Sequence, residues 1–284
     1  MKITNNFGLP GAIIEAVRND SYYAGEKTDM SVTGLLSPPR QKELLRQYSG
    51  QIVEDVSDRI WALIGQAIHS VLERAEKSAI VEERLYMDVG GWIISGQYDR
   101  MSLRQKTMQD YKMMSVWEVI YGLKPEKTAQ LNMLLQLAVE NGYKNITNLE
   151  IVAIFRDWQK SKAKYDKKYP QSQVARIKVD VWPEEKRIEY INERIRLHKD
   201  ARENLPECTP DERWATPDKF AVMKKGRKTA VRLLDTQELA ETYMEEKNVV
   251  GGYVDFRQGE SRRCADYCAV NGFCEQWKKL TTSQ

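Results

Sequence analysis

Two short segments carry the side chains that point most directly to chemistry. Asp99 ends the segment Gly96-Gln97-Tyr98-Asp99, and the tripeptide Asp110-Tyr111-Lys112 follows it. Both segments are predicted to be short strands, and alternation on a strand places Asp110 and Lys112 on one face with Tyr111 on the other. Two carboxylates can hold a divalent metal against a phosphodiester, and a neighbouring ammonium can orient or polarise the attacking water. A surface salt bridge on an edge strand is the alternative interpretation of an isolated Asp-x-Lys.

The residues before Asp99 indicate a polar strand face. Ser95, Gln97 and Asp99 are predicted to share that face, which would place the carboxylate beside a cleft. We expect Gly96 to let another backbone approach closely, because glycine has no side chain there.

The sequence contains 2 histidines. His69 lies in a helical pattern one turn after Gly65 and is predicted to face inward. Such a residue could be a core histidine bonded to a backbone carbonyl or a functional group of the cleft. His198 lies among charged residues near the end of a long helix, and we assign it no role.

Hydrophobic periodicity predicts the elements that must position these residues. A helix is expected over 57–75, because apolar residues recur there at intervals of three and four. A helix is also expected over 125–141, and a long amphipathic helix over 184–202. The predicted strands are 80–87, 92–98, 107–113 and 149–155, with Gly90-Gly91 as a hairpin turn between the first two.

Length and turn residues predict two domains. A chain of 284 residues is long enough for a catalytic domain with a full core and a smaller unit. Pro206 and Pro210 indicate a boundary, so we predict domains 1–206, with a helical N-terminal region, and 207–284. The smaller one has a strand, strand, helix, strand pattern over 220–223, 230–234, a helix opened by a capping box at 235–238, and 252–256.

Composition limits the function classes. The net charge of +3 is only mildly basic, so nucleic-acid binding would have to come from local patches. We find no run of about 18 apolar residues and no secretory leader. We therefore expect a cytoplasmic protein that does not contact a membrane.

The ordered motifs carry a resemblance. Gly65-Gln66-Ala67-Ile68-His69, Gly96-Gln97-Tyr98-Asp99-Arg100, Asp110-Tyr111-Lys112 and Gln130-Leu131-Asn132 follow the order and approximate spacing of the RecB-type branch of the PD-(D/E)XK nuclease superfamily. The chain also resembles phage-encoded exonuclease-like proteins of that superfamily. This resemblance implies an α/β (α+β) fold with a mixed central sheet flanked by helices.

The same resemblance implies a nuclease site that uses Mg²⁺ or Mn²⁺. His69, Asp99, Asp110 and the backbone carbonyl of Tyr111 would be metal ligands, Lys112 would position the water, and Gln130 would support the site or contact DNA. The family usually has Tyr where this chain has Leu134, which puts DNA contact by that helix in doubt. In the family an acid on the first strand can reach the site, but we expect Glu82 and Glu83 to be exposed strand charges.

The implied function is metal-dependent cleavage of DNA by an exonuclease that acts on single- or double-stranded ends in recombination or replication, in a phage-infected bacterial cell, where a partner protein could take part. A non-catalytic DNA-binding scaffold of the same fold and a structure-specific endonuclease, or an enzyme that acts on RNA, remain alternatives. A decayed site would be expected to lose at least one of the four groups, whereas this chain keeps His69, Asp99, Asp110 and Lys112.

Four cysteines form a second candidate site. Cys264, Cys268 and Cys274 lie close together near the end of the chain, with Cys208 upstream. Four thiolates can hold Zn²⁺ or an iron-sulfur cluster. The pattern resembles the iron-sulfur staple of AddB-type nucleases, which favours a [4Fe-4S] cluster over zinc, although the first spacing and the position of the remote cysteine differ. Unligated core cysteines are the third interpretation.

Two basic segments are candidates for DNA contact. One is a predicted loop that combines lysines with aromatic residues over 158–169, and the other surrounds a glycine turn over 224–228. Solvated lysines are the alternative. The candidate DNA-binding residues are Lys160, Lys162, Lys164, Lys224, Lys225, Arg227 and Lys228.

Overall fold

The structure, a computed structural model, describes residues 2–19 and 28–282. The chain divides into two compact units, Met1–Glu43 with Ser49–Leu205, and Leu44–Tyr48 with Pro206–Gln284. Each unit has its own sheet structure. In the described residues no helix is long and apolar enough to cross a membrane.

The first unit contains both helices and strands. In order they are β1 (Lys2–Thr4), α1 (Gly11–Arg18), β2 (Met30–Ser31), α2 (Val32–Leu36), α3 (Pro39–Gln47, whose last residues belong to the second unit), β3 (Val53–Asp55), α4 (Ile60–Ala75), β4 (Ile80–Val81), β5 (Arg84–Val89), β6 (Trp92–Gln97), β7 (Arg100–Ser102), β8 (Thr107–Met114), α5 (Trp117–Ile120), α6 (Pro125–Glu140), β9 (Asn148–Phe155), α7 (Lys160–Tyr165), β10 (Val174–Val179) and α8 (Glu184–Glu203).

The main sheet has five strands in the order β10-β9-β8-β7-β4. The pair β8 and β9 is parallel, and the other neighbours are antiparallel. A second sheet has the order β2-β6-β5, in which β2 runs parallel to β6 and β5 is antiparallel to it. The unit combines helices with sheets of parallel and antiparallel strands, so the expected α/β class is confirmed.

The hairpin predicted at Gly90-Gly91 is present. Val89 pairs with Trp92 across the turn, and both glycines have positive φ, +58° and +77°. Two successive residues with positive φ are what a tight turn between twisted strands requires, and glycine adopts them without strain.

The strand predicted over 80–87 is wrong as one element. Strand β4 ends at Val81 in the five-stranded sheet, and β5 begins at Arg84 in the three-stranded sheet. Glu82 lies at the break with a φ of +49°, a left-handed conformation that is uncommon for a residue with a side chain. The chain therefore changes sheets at Glu82 and Glu83.

Helix α6 lies in the core of the first unit. Its apolar residues are buried nearly all round: Ala129, Leu131, Met133, Leu134, Leu135, Leu137 and Ala138. The buried Asn132 side chain donates to the Asp180 carbonyl at 2.9 Å and accepts from the Trp182 N–H at 2.8 Å. Because a buried amide without partners would be costly, these bonds also fix the segment that leads into α8.

In its described residues the second unit has a small sheet, two α-helices of its own, two short helical turns and the end of α3. Its elements are β11 (Lys219–Lys224), β12 (Arg232–Leu234), α9 (Gln237–Glu246), β13 (Gly252–Arg257) and α10 (Glu275–Thr282). The sheet order is β12-β11-β13, all antiparallel. Thr236 caps α9 by accepting the Leu239 N–H at 3.2 Å, in the capping segment that the sequence predicted.

Candidate metal-binding and catalytic site

A cavity of about 560 Å³ lies in the first unit. It is lined by residues of α2, α4, α6, β6 and β8 and by the connections that contain Glu82 and Asp99. Most of the residues predicted to do chemistry line it. The chemically relevant lining residues are Gln66, His69, Glu82, Gln97, Asp99, Asp110, Lys112 and Gln130. Asp99 and Asp110 therefore open into one cavity.

Three side chains converge as a candidate metal centre. One ligand atom each from His69, Glu82 and Asp99 lies within 4.8 Å of the others. The His69 Nδ1 atom is 3.2 Å from a Glu82 oxygen and 3.4 Å from an Asp99 oxygen. One imidazole nitrogen and two carboxylates form a donor set that suits a divalent transition metal such as Mn²⁺, while carboxylates also suit Mg²⁺.

Two crossings between sheets place the acids of this centre. The expectation that Asp99 continues a strand is wrong, because β6 ends at Gln97 and the chain bends before β7 begins at Arg100. Glu82 occupies the other crossing, between β4 and β5. The Glu82 N–H donates to the Asp99 carbonyl at 3.3 Å, so the two crossings are bonded to each other.

Glu82 is a candidate site residue whose position differs from the one predicted from the sequence. The expectation that Glu82 and Glu83 are exposed strand charges is wrong, since the Glu82 side chain is only 16% exposed and bonds to His69. Its second oxygen accepts from the Gln97 amide at 2.7 Å. The available signal was the pair of adjacent acids that interrupts the apolar alternation between Val81 and Leu85, because a strand with one buried face does not place two charges in succession.

Glu83 turns away from the metal candidates. Its carboxylate accepts hydrogen bonds from the hydroxyl groups of Tyr98 and Tyr143, the latter at 2.9 Å. Burial and the bond to Glu83 raise the pKa of Tyr98 well above its ordinary value, so Tyr98 stays a donor. Neighbouring glutamates therefore have different environments.

Asp110 and Lys112 share one side of β8, as the strand alternation predicted. The Lys112 ammonium lies 3.0 Å from an Asp110 oxygen, and the Asp110 side chain is only 5% exposed. Burial lowers the pKa of Lys112, but the charges of Asp110 and Asp99 outweigh it and raise the pKa overall. Lys112 is therefore a cation at neutral pH.

Burial and neighbouring groups set the protonation of Asp99 and His69. Burial and the Asp110 charge raise the pKa of Asp99 to about 7, against the opposing effects of His69, Lys112 and the Tyr111 N–H. That N–H donates to an Asp99 oxygen at 2.5 Å. The hydrogen bond to Glu82, with the charge of Asp99, raises the pKa of His69. A metal that binds here must displace protons, because ligands coordinate in their deprotonated forms.

The α6 side of the cavity contains Gln130 and Leu134. The expectation that Gly96 admits another backbone is wrong, because a side chain at this position would meet Leu134 at 2.5 Å and Val32 at 2.9 Å. Gly96 instead allows two apolar side chains to pack against the strand. Leu134 thus has a packing role where the resembled family has Tyr.

The other predicted residues lie elsewhere. Lys160, Lys162 and Lys164 are on α7, a short helix in the segment that we expected to be a loop, and they do not line the cavity. Lys224, Lys225, Arg227 and Lys228 surround a turn of the second unit, in which Gly226 has a φ of +85°. The backbone carbonyl of Tyr111 as a ligand stays a prediction.

His198 is not a charged-surface residue. It is buried, and its Nε2 atom lies 3.0 Å from the Leu35 carbonyl, to which it donates. Burial, together with the cations Arg194 and Lys42, lowers its pKa to about 4. His198 is therefore a structural histidine that connects α8 to α2.

The four cysteines all lie in the second unit, as thiols. Burial, together with the neighbouring Cys268 and Cys274, raises the pKa of Cys264. The Gln276 side chain accepts from the Cys208 N–H at 2.8 Å and donates to the Cys208 carbonyl at 2.9 Å. Cys208 is thereby held beside the residues that follow Cys274, and such a thiol set fits a soft metal or cluster.

Comparisons with known proteins add little. No protein-family model matches the sequence, and no curated protein matches it. Among solved structures, the chain is similar to one titled "Crystal structure of SSO0001", with a TM-score of 0.46 and 19% identity over 66% of this chain and 84% of that chain. At this TM-score the likeness carries no argument about function.

Proposed function

We propose that the protein is a metal-dependent nuclease that hydrolyses phosphodiesters. The observation that carries the proposal is the convergence of His69, Glu82 and Asp99 within 4.8 Å of one another, in a cavity that also contains Asp110 and Lys112. A structural ion pair needs no open cavity around it. Metal-assisted hydrolysis requires one, because substrate and water must both enter.

The donor set supports a divalent ion as cofactor. His69, Glu82 and Asp99 would hold it, and Asp110, which lines the same cavity and pairs with Lys112, would be a further ligand. Mn²⁺ accepts an imidazole ligand more readily than Mg²⁺ does, so we expect Mn²⁺ to bind more tightly. When bound, such an ion lowers the pKa of water and neutralises charge that develops on the phosphate.

The chain's own groups have separate roles in this proposal. Lys112, kept cationic by Asp110 and Asp99, would orient the attacking water and stabilise negative charge on the phosphate. Gln97 would hold the Glu82 carboxylate in position, since its amide donates to it at 2.7 Å while Arg84 donates to the Gln97 oxygen at 2.7 Å. Gln130 would contact the substrate or support the site from α6.

We propose DNA as the substrate. More specifically, we propose that the protein is an exonuclease that acts on DNA ends. The resemblance of the four motifs to RecB-type nucleases supports this choice. The cationic segments at 160–164 and 224–228 also support it, because lysine and arginine contacts to phosphates hold a strand without reading its sequence.

We further propose that Cys208, Cys264, Cys268 and Cys274 hold a [4Fe-4S] cluster, with Zn²⁺ as the alternative. The short sequence spacing of the last three cysteines and the two hydrogen bonds between Gln276 and Cys208 support a shared site. A cluster or metal would stabilise the second unit, because the thiolates come from two distant parts of its chain.

A hydrolysis assay tests the proposed activity. Labelled single- and double-stranded DNA is incubated with the protein in Mg²⁺, in Mn²⁺ and in EDTA, alongside Asp110→Asn and Asp99→Asn. We expect cleavage only with the metals, and a loss of roughly a hundredfold or more in each variant, which is several kcal/mol of barrier. Cleavage by Asp99→Asn at the parental rate would overturn the proposal.

A further inference from the structure

A second cavity of about 560 Å³ lies in the first unit between α5 and α7. Its walls are mainly apolar and aromatic, and they include Trp117, Ile120, Tyr165 and Tyr169. None of these residues lines the metal-site cavity. The size is that of a pocket for a small planar group.

Two of the three rings named in this pocket are exposed, and Tyr169 is buried. Trp117 is 44% exposed and Tyr165 is 81% exposed. Trp117 also stacks on Tyr121, with ring centres 5.7 Å apart and planes at 18°. Large aromatic side chains grouped at a surface mark an interaction site, because water solvates them poorly.

Cations stand directly beside the rings. The Lys162 ammonium is 5.5 Å from the centre of the Trp117 ring and 6.0 Å from that of Tyr169, and Lys164 is 5.4 Å from that of Tyr165. Glu118 pairs with Lys127, and the Asp166 carboxylate accepts the backbone N–H of Lys168 at 2.8 Å. Asp166 is the acid named in the lining, and two lysines, Lys162 and Lys168, line the pocket with it. The pocket therefore attracts an anionic partner that also carries flat rings.

Partly buried hydrogen bonds connect the two walls. The Asp157 carboxylate accepts from the Ser115 hydroxyl at 2.5 Å and from the Val116 N–H at 2.9 Å, just before α5. On the other wall, the buried Tyr169 hydroxyl accepts the Gln159 N–H at 3.0 Å and donates to the Asp157 carbonyl at 3.4 Å. Asp157 and its carbonyl connect both walls, so the pocket is formed before any ligand arrives.

The pocket begins just beyond the end of the strand that carries the candidate catalytic residues. Strand β8 contains Asp110 and Lys112 and ends at Met114, and α5 begins at Trp117. With a rise of about 3.3 Å per residue, Trp117 is within roughly 17 Å of Lys112. That distance corresponds to a few nucleotides of one strand.

We propose that this pocket binds a base of single-stranded DNA whose phosphates contact Lys162 and Lys164, and that it holds the strand beside the metal centre. The inference rests on the proposed nuclease function and specifies its substrate. Single-stranded DNA supplies both the phosphates and the exposed rings, and stacking on aromatic side chains is tolerant of base identity. The bases of an intact duplex are already stacked on each other and do not enter such a pocket.

The test measures binding without hydrolysis. Fluorescence anisotropy follows a labelled oligothymidylate strand in EDTA with the parental protein, Trp117→Ala, Trp117→Phe and Lys162→Gln. Tyr86→Ala, which removes a 42% exposed ring from β5, is the matched control. We expect Trp117→Ala to weaken binding about tenfold, and Trp117→Phe and Tyr86→Ala to stay within about threefold of the parent.

The outcomes separate the two proposals. Unchanged affinity in both Trp117→Ala and Lys162→Gln, or no binding by the parental protein, overturns the pocket assignment even when the protein cleaves DNA. Weakened binding in Trp117→Ala supports it even when no hydrolysis is found. If circular dichroism shows that Trp117→Ala is misfolded, Lys162→Gln decides the test, because loss of this cation should also weaken binding.

Discussion

At the scale of single residues, two adjacent glutamates illustrate how position decides function. Glu82 points to His69 and the cavity, whereas Glu83 binds the hydroxyl groups of Tyr98 and Tyr143. The two residues have the same side chain and opposite environments. They therefore provide an internal control for the metal centre.

Glu82→Gln should reduce Mn²⁺ affinity at least tenfold, because a neutral amide is a poor substitute for an anionic ligand. Isothermal titration calorimetry with Mn²⁺ measures the change. Glu83→Gln should leave the affinity unchanged and instead lower the free energy of unfolding by about 1–3 kcal/mol, because it weakens charge-assisted bonds to two tyrosines. Equal effects of the two substitutions on Mn²⁺ affinity would contradict the assignment of Glu82.

At the scale of elements, strong periodicity made some of the fold predictable. The apolar run of β9 and the long pattern of α6 were predicted within a residue or two, since burial on several sides leaves a clear signal. The hairpin at Gly90-Gly91 was also predictable, because positive φ at two positions restricts the residue choice.

Other elements depend on tertiary contacts that the sequence does not display. Strand β7 is three residues long, and α7 is a six-residue helix, too short to be stable alone. The bends at Glu82 and Asp99 arise where the chain passes from one sheet to another. The sequence therefore predicted most of the polar residues that line the cavity, but not Glu82 and not the crossings that bring them together.

The contact of α8 with α2 should depend on pH through His198. The folded state keeps its pKa near 4, below the value of about 6.5 for an exposed histidine, so it resists a proton that the unfolded chain accepts. The contribution of His198 to the free energy of unfolding is fully present above about pH 6.5. It declines by up to about 3 kcal/mol as the pH falls toward 4.

Urea unfolding of the first unit at several pH values measures this effect against His198→Gln, which cannot titrate. We expect the stability difference between parent and variant to shrink or reverse as the pH is lowered. A difference that is constant between pH 7 and pH 4.5 would show that His198 does not couple the helix contact to protons.

At the scale of the whole molecule, the two units carry two different kinds of candidate metal chemistry. The first offers nitrogen and oxygen donors at an open cavity, and the second offers four thiols. Hard ions prefer the former and soft ions or clusters the latter. Each unit should therefore retain its own metal independently of the other's ligands.

Protein purified without oxygen should be brown, with broad visible absorption and bound iron and sulfide. Cys274→Ser should lose the colour and lower the melting temperature of the second unit, while Asp99→Asn should keep the colour. Elemental analysis and visible spectroscopy measure both results. Colourless protein that contains zinc would exclude the cluster and leave the thiol site as a zinc site.

The most direct measurement for the metal centre is anomalous diffraction from crystals of the protein soaked in Mn²⁺. The account predicts an anomalous peak between the His69 imidazole and the carboxylates of Glu82 and Asp99, at about 2.0–2.4 Å from its ligand atoms. The peak should vanish in Glu82→Gln crystals. A fully soaked crystal with no peak among these three residues would contradict the proposed centre and the nuclease function built on it.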